Sequence, residues 1–236
     1  MGVVLRSLVF VGVFYVWSAA LSILFLPLLA CPRRWTSAVF TFWAHGVILF
    51  LRLICAIKVE FRGLPRPPAG RALVAAKHQC MFDVFAQFAW LQDCCFVMRK
   101  ELMAIPFFGW YARKARMIVV DREGGADALR RLVRDARDRL GEPRQLVIFP
   151  EGHRGEPGQT GRYLPGVAGL YRELGLPIHP VATNSGVHWP AHGFIRKPGT
   201  IVFEYLEPIP PGLKRADFMQ RLEGEIEAAS NALLEL

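Results

Sequence analysis

The chain opens on a long apolar stretch. From Ser7 to Pro32 no residue is charged, and a second apolar run, Trp35 to Ile57, follows with His45, Gly46 and Arg52 as its interruptions. As one helix, Ser7–Ala30 would be about 36 Å long, against roughly 30 Å of bilayer hydrocarbon. Two apolar helices joined at Cys31–Arg34 predict a hairpin that either crosses a membrane or lies in its interface. The aromatic residues of the second run (Trp35, Phe40, Phe42, Trp43, Phe50) suit contact with lipid headgroups. A cleaved signal peptide is the rival reading, because Arg6 precedes the apolar run. That run is long for a signal, and Pro32-Arg33-Arg34 makes a poor cleavage site.

After Ile57 the period changes. Lys58–Arg62 alternates polar and apolar residues as an entry strand does, and Gly63–Gly70, with three prolines, reads as a loop and a boundary. Short apolar runs at Ala72–Ala76, Cys95–Met98, Met117–Val120, Gln145–Phe149, Ile178–Thr183 and Thr200–Tyr205 predict strands. Pro180 demotes part of the fifth of these to a sheet edge or a strand end. Between them, helical spacing covers Asp83–Leu91, Lys100–Lys114, Ala126–Leu140, Val167–Leu174 and Asp217–Leu234. In Ala126–Leu140 the apolar residues Leu129, Leu132, Val133, Ala136 and Leu140 share one face, and Gly141 ends the helix. Asp217 and Gln220 have capping-box spacing at the start of the last helix, which buries Phe218, Leu222, Ile226 and Leu233. This alternation predicts an α/β fold with a mostly parallel sheet flanked by helices. Residues 1–62 form an N-terminal membrane-associated helical segment with its entry strand, and residues 63–236 form the main domain.

Composition sharpens the picture in two ways. The net charge of +9 suits an anionic partner such as a membrane surface, a phosphate or a nucleic acid. No nucleic-acid-binding motif accompanies it, so nucleic acid is discounted. The five cysteines, Cys31, Cys55, Cys80, Cys94 and Cys95, are odd in number and lie in apolar surroundings, two of them adjacent. They read as reduced, buried thiols, and no pair has zinc-site spacing, so no metal is predicted.

Polar clusters stand just after four of the predicted strands: His78 with Asp83, Asp121 with Arg122, Glu151-Gly152-His153-Arg154, and Asn184-Ser185-Gly186. In an open parallel sheet the strand C-termini line one edge, where ligands bind. His78 and Asp83 are five apart, roughly 140° on a regular helix, so they cannot share a helix face. They meet only if His78 lies in the strand-to-helix loop and Asp83 in the first helical turn, where the helix dipole also favours a carboxylate. A histidine oriented by a carboxylate is a general-base pair. For an isolated pair of this spacing, a loop histidine beside a helix-start charge is the bland alternative. Arg122 and Arg154 suggest a phosphate on the substrate. Cys80 is either a nucleophile or a small helix-start residue, and the second reading is the simpler one. His188 and His192 have the spacing of a helical metal pair, but Pro190 between them breaks the helix.

Taken together in this order, the blocks Lys77-His78-Gln79-Cys80-Met81-Phe82-Asp83, Arg99-Lys100-Glu101-Leu102 with Ile105-Pro106-Phe107-Phe108-Gly109, Val119-Val120-Asp121-Arg122, Phe149-Pro150-Glu151-Gly152-His153-Arg154 and Leu176-Pro177-Ile178-His179-Pro180-Val181 are specific. Through them nearly the whole chain resembles the 1-acylglycerol-3-phosphate acyltransferase family, and the resemblance implies that family's glycerolipid acyltransferase fold. It implies transfer of an acyl group from acyl-CoA or acyl-carrier protein to the sn-2 hydroxyl of lysophosphatidic acid, giving phosphatidic acid, with no cofactor. His78 would be the base and Asp83 its orienter. Arg122 and Arg154 would hold the acceptor phosphate, with Glu151 and Gly152 shaping the pocket. His153 would either reach the phosphate or only satisfy a turn. Backbone amides near His78 are the implied oxyanion donors. The implied location is a bacterial inner membrane, with the catalytic domain on the cytoplasmic face.

The chain departs from the family pattern at four places. His153 replaces a threonine, Leu164 stands where a lysine often precedes Pro165-Gly166, Cys80 replaces a serine, and Arg116 replaces a glycine before the Val119-Val120-Asp121-Arg122 block. These leave two alternatives in view, acylation of another lysolipid such as lyso-ornithine lipid, and a catalytically dead membrane lipid-binding protein.

Overall fold

A computed structural model describes residues 2–63, 68–121 and 125–235. Two helices, α1 (Val3–Leu24) and α2 (Arg33–Cys55), precede β1 (Ile57–Arg62) and β2 (Ala72–Ala76). Then come α3 (Phe82–Trp90), β3 (Cys94–Arg99), α4 (Phe108–Lys114), β4 (Ile118–Val120), α5 (Gly125–Arg139) and β5 (Gln145–Ile148). The chain finishes with α6 (Pro165–Leu174), β6 (Ile178–Thr183), the single turn α7 (Ser185–His188), β7 (Gly199–Tyr205) and α8 (Arg215–Ala232).

The strands form one seven-stranded sheet in the order β1-β7-β6-β2-β5-β3-β4. Every neighbouring pair is parallel except β6 with β7. β2, buried along its whole length, is the central strand. Its alternation divides the core: Val74 and Ala76 face the layer of α1, α2, α3 and α4, while Leu73 and Ala75 face α5, α6 and α8. A strand covered on both faces needs apolar residues at both parities, which explains why Ala72–Ala76 is an unbroken apolar run.

Three local expectations change. The Ser7–Ala30 helix stops at Leu24, because Pro27 cannot donate to a continuing α-helix, and Leu26–Ala30 tightens into a 3₁₀ turn. The Lys100–Lys114 helix is split into a 3₁₀ turn over Lys100–Ala104 and α4. Pro106 holds Ile105 extended, and Phe107 then takes φ 61° and ψ −56°. The Phe108 N–H donates to the Pro106 carbonyl at 2.7 Å across it, a γ-turn of the strained positive-φ hand. The strand carrying Pro180 lies inside the sheet and not at its edge. The register Val181↔Tyr205 puts Pro180 opposite Leu206, one residue beyond β7, so its missing N–H falls where the antiparallel ladder ends. Its carbonyl accepts from the Leu206 N–H at 2.9 Å.

Both N-terminal helices pack onto the body. Phe10 and Phe14 of α1 meet Trp189, and Phe40 of α2 stacks on Phe88 with ring centroids 4.6 Å apart. Ala44, Val47, Leu51 and Cys55 continue the buried face of α2. Burying each large side chain of this seam stabilises by about 1.5–3 kcal/mol. The opposite face exposes Leu5, Leu8, Tyr15 and Val16 from α1 and Trp35, Phe42, Leu49 and Leu53 from α2.

Candidate active site

The sheet order sets β5 and β6 on either side of β2 with all three pointing the same way, so the segments that follow them meet at one edge. The connection from β2 leads across β5 to β3, and that from β5 leads back across β2 to β6. Both connections start from the C-terminal ends of these strands, the edge at which open α/β sheets bind ligands. His78 leaves β2 in the loop and Asp83 sits in the first turn of α3, which overcomes the five-residue separation.

Nδ1 of His78 lies 3.0 Å from Oδ2 of Asp83. A carboxylate only accepts, so Nδ1 carries a hydrogen, and in the neutral tautomer this leaves the lone pair on Nε2. The Asp83 carboxylate is fully buried. Oδ2 also accepts the Gln79 N–H at 2.6 Å and the Cys80 N–H at 2.8 Å, while Oδ1 accepts the Ser185 hydroxyl and the Cys80 thiol. Charge-assisted bonds and the α3 dipole offset the desolvation of this anion. One face of the imidazole is covered by Phe149, whose ring centroid is 4.2 Å away at 23°. The His78 side chain is 15% exposed, and among the described residues no hydrogen bond engages Nε2.

The backbone of His78 is held as firmly as its ring. Its N–H donates to Glu151 Oε2 at 3.2 Å, and its carbonyl accepts the Gly155 N–H at 2.8 Å. The amides of His78, Gln79 and Cys80 are thereby committed to carboxylates. Glu151 is buried, and its Oε1 accepts the Lys77 ammonium at 2.8 Å and the Gly161 N–H at 3.3 Å. Both of its oxygens are engaged within the protein. Gly152 turns the chain with φ 70°, a conformation glycine adopts without strain, so that His153 and Arg154 emerge exposed. Arg154 Nη1 donates to the Ala191 carbonyl at 3.2 Å. Arg99, at the end of β3, reaches the Gly152 carbonyl at 3.5 Å, and Lys100 pairs with Asp121 at 2.7 Å. Arg122 lies outside the described residues. The edge thus joins an oriented base to a cationic rim.

Burial and then the charge of Asp83 push the Cys80 thiol well above its ordinary range, so it stays protonated at neutral pH. Arg116 lies before β4, at the strand ends opposite this edge, and pairs with Asp138 at 2.7 Å and Glu142 at 2.6 Å. Its φ of 57° is the conformation that glycine takes most readily, which gives the departure at this position a backbone meaning. α7 stops at His188, so His188 and His192 share no helix. Reading the sequence for site residues passed over Phe149, Lys77 and Glu227. For Ser185 the signal was present, since it lies in a polar cluster at a strand end.

The profile of the Acyltransferase family matches residues 58–184. The chain is 33% identical over 187 residues to the 1-acyl-sn-glycerol-3-phosphate acyltransferase of Pseudomonas aeruginosa, a match covering 79% of this chain and 72% of that protein. A Helicobacter pylori protein of the same name is 33% identical over 122 residues, half of each chain. Among solved structures, the 1-acyl-sn-glycerophosphate (LPA) acyltransferase PlsC from Thermotoga maritima superposes with a TM-score of 0.82 over 98% of each chain at 18% identity, which shows a shared fold. On the profile match and the Pseudomonas relative, the chain belongs to the acyltransferase family.

Proposed function

We propose that the protein transfers a fatty acyl group from a thioester donor, acyl-CoA or acyl-carrier protein, to the sn-2 hydroxyl of 1-acylglycerol 3-phosphate, forming phosphatidic acid. The relatives' names support the acceptor. The observation that carries the mechanism is the His78–Asp83 contact, with Nδ1 held on the carboxylate and Nε2 left for substrate. Nε2 takes the hydroxyl proton as the oxygen attacks the thioester carbonyl. The C–S bond then breaks, and the imidazolium returns the proton to the departing thiolate. Asp83 stabilises the transient imidazolium, and Arg154 with Arg122 binds the acceptor phosphate. The buried, protonated Cys80 argues against an acyl-cysteine route.

The apolar face of α1 and α2 supports membrane association. α1 is tied to the body near both ends: Ser7 accepts the Arg196 N–H at 2.8 Å, and the Tyr111 hydroxyl donates to the Ser22 carbonyl at 3.1 Å. Both helices have the length and hydropathy of a span. A helix fastened along the domain favours lying in the interface over crossing the bilayer. The five free cysteines fit a reducing compartment, consistent with the cytoplasmic face of a bacterial inner membrane.

The test is an acyl-transfer assay of the purified protein in lipid vesicles, with acyl-CoA and acyl-carrier protein each offered against 1-acylglycerol 3-phosphate and lyso-ornithine lipid. Phosphatidic acid formation is the expected result. Turnover of lyso-ornithine lipid alone would reassign the acceptor, and no turnover by folded protein would support a lipid-binding role instead.

A further inference from the structure

Lys77 stands immediately before the base and is 1% exposed. Its ammonium is enclosed by two carboxylates, Glu151 Oε1 at 2.8 Å and Glu227 at 2.7 and 2.9 Å, together with the Gln159 carbonyl at 3.0 Å. An ammonium removed from water is tolerated only when it is paired and fully hydrogen-bonded. Glu227 comes from α8, and is itself oriented by the Tyr163 hydroxyl at 3.0 Å and the Thr160 hydroxyl at 3.4 Å. Burial, and then the Glu227 charge, hold the Tyr163 phenol well above its ordinary range, so it remains a donor.

These contacts form one chain of restraint. Glu227 fixes the Lys77 ammonium, Lys77 fixes Glu151, and Glu151 holds the His78 N–H. The same segment returns to the base a second time, through the Gly155 N–H on the His78 carbonyl. It also carries Arg154 toward the acceptor side. Residues 149–164 contain no helix or strand, so their placement depends on such side-chain anchors.

We infer that Glu227 is a positioning residue for acyl transfer: acting through Lys77 and Glu151, it sets the backbone of His78 and the loop bearing Arg154, making the C-terminal helix part of the catalytic apparatus. This rests on the general-base reading of His78. Glu227 touches neither base nor substrate, so its loss acts on geometry. A small displacement of a base from its proton costs rate far more than binding.

The experiment compares Glu227→Gln and Tyr163→Phe with the unmodified protein and with Glu225→Gln, a change on the same helix at a residue paired with Arg221 on the surface. For each, kcat and both KM values are measured on folded protein, and the rate at which diethyl pyrocarbonate modifies His78 is followed by mass spectrometry. Glu227→Gln is expected to lower kcat by about 10–100-fold while both KM values stay within about 2-fold. His78 should be modified several-fold faster. Tyr163→Phe keeps every charge and should shift both readouts the same way by a smaller factor, while Glu225→Gln leaves them unchanged. Wild-type kcat and wild-type His78 reactivity in both variants would overturn the inference, as would a loss of rate that only tracks the folded fraction. The His78 modification rate reads the restraint even if no acyl acceptor is turned over, so failure of the restraint and failure of the functional reading are separable.

Discussion

The buried Asp83 carboxylate accepts five hydrogen bonds from His78, Gln79, Cys80 and Ser185, whereas the exposed Arg154 guanidinium makes one among the described residues, to the Ala191 carbonyl. The two residues belong to one sheet edge, yet the Asp83 side is over-determined and the Arg154 side is sparsely held. On the proposed mechanism the difference follows from their tasks. A base is useful only if its geometry exists before the substrate arrives, because reorganisation during the reaction raises the barrier. A phosphate-binding group must exchange water and protein partners for ligand oxygens, so tight internal bonding would compete with the substrate.

Substitutions on the two sides should therefore fail differently. His78→Ala removes the proton acceptor and should lower kcat by about 10²–10⁴-fold, with donor KM largely kept. Steady-state rates that match the unmodified protein would remove His78 from the chemistry. Arg154→Ala should instead raise the acceptor KM by about 10-fold or more, the value of a hydrogen bond to a charged group. Measuring the same variant with an acceptor lacking phosphate sharpens the point, since the penalty should vanish there. Cys80→Ser should stay within a few-fold of wild-type kcat: the thiol is protonated and buried, and serine replaces it as a donor to Asp83. Abolished turnover together with a labelled acyl group trapped on the unmodified protein would instead establish a covalent route. Smallest of all should be Arg116→Gly, remote from both halves. Relief of the positive φ is worth about 1–2 kcal/mol, and glycine's extra unfolded-state freedom with the loss of two surface ion pairs offsets most of it. Thermal denaturation should find the midpoint moved by no more than a few degrees.

Local chemistry was legible in the chain, and long-range closure was not. The unbroken apolar run Ala72–Ala76 announced a strand covered on both faces, and the five-residue step from His78 to Asp83 forced one residue into the loop and the other into the helix start. No comparable rule links Lys77 to Glu227, which are 150 residues apart, or Asp83 to Ser185, which are 102 apart. Those pairs exist only because β6 and α8 pack beside β2, an outcome of sheet order. Glu227 gave no local signal, since a glutamate beside the apolar stripe of Leu222 and Ile226 reads as an ordinary flank. The single helix expected over Lys100–Lys114 runs through Pro106, although the residue before a proline is biased to extended backbone, and the positive φ of Phe107 depends on how the following turn packs. Pro180 misled because a proline is excluded from a ladder only where its N–H is wanted, and β7 ends one residue short of it.

The central claim is that Asp83 holds a preformed base whose rate depends on the carboxylate's charge. Asp83→Asn tests it most directly. With the amide oxygen in the place of Oδ2 it still accepts from His78, Gln79 and Cys80, and the amide nitrogen can donate to Ser185, so the loop should stay intact. What is lost is the negative charge that stabilises the imidazolium. The account predicts that kcat falls on the order of 10²–10⁴-fold while the acceptor KM stays within a few-fold of wild type. A folded Asp83→Asn protein that keeps wild-type kcat, or one whose defect lies wholly in acceptor KM, would contradict it.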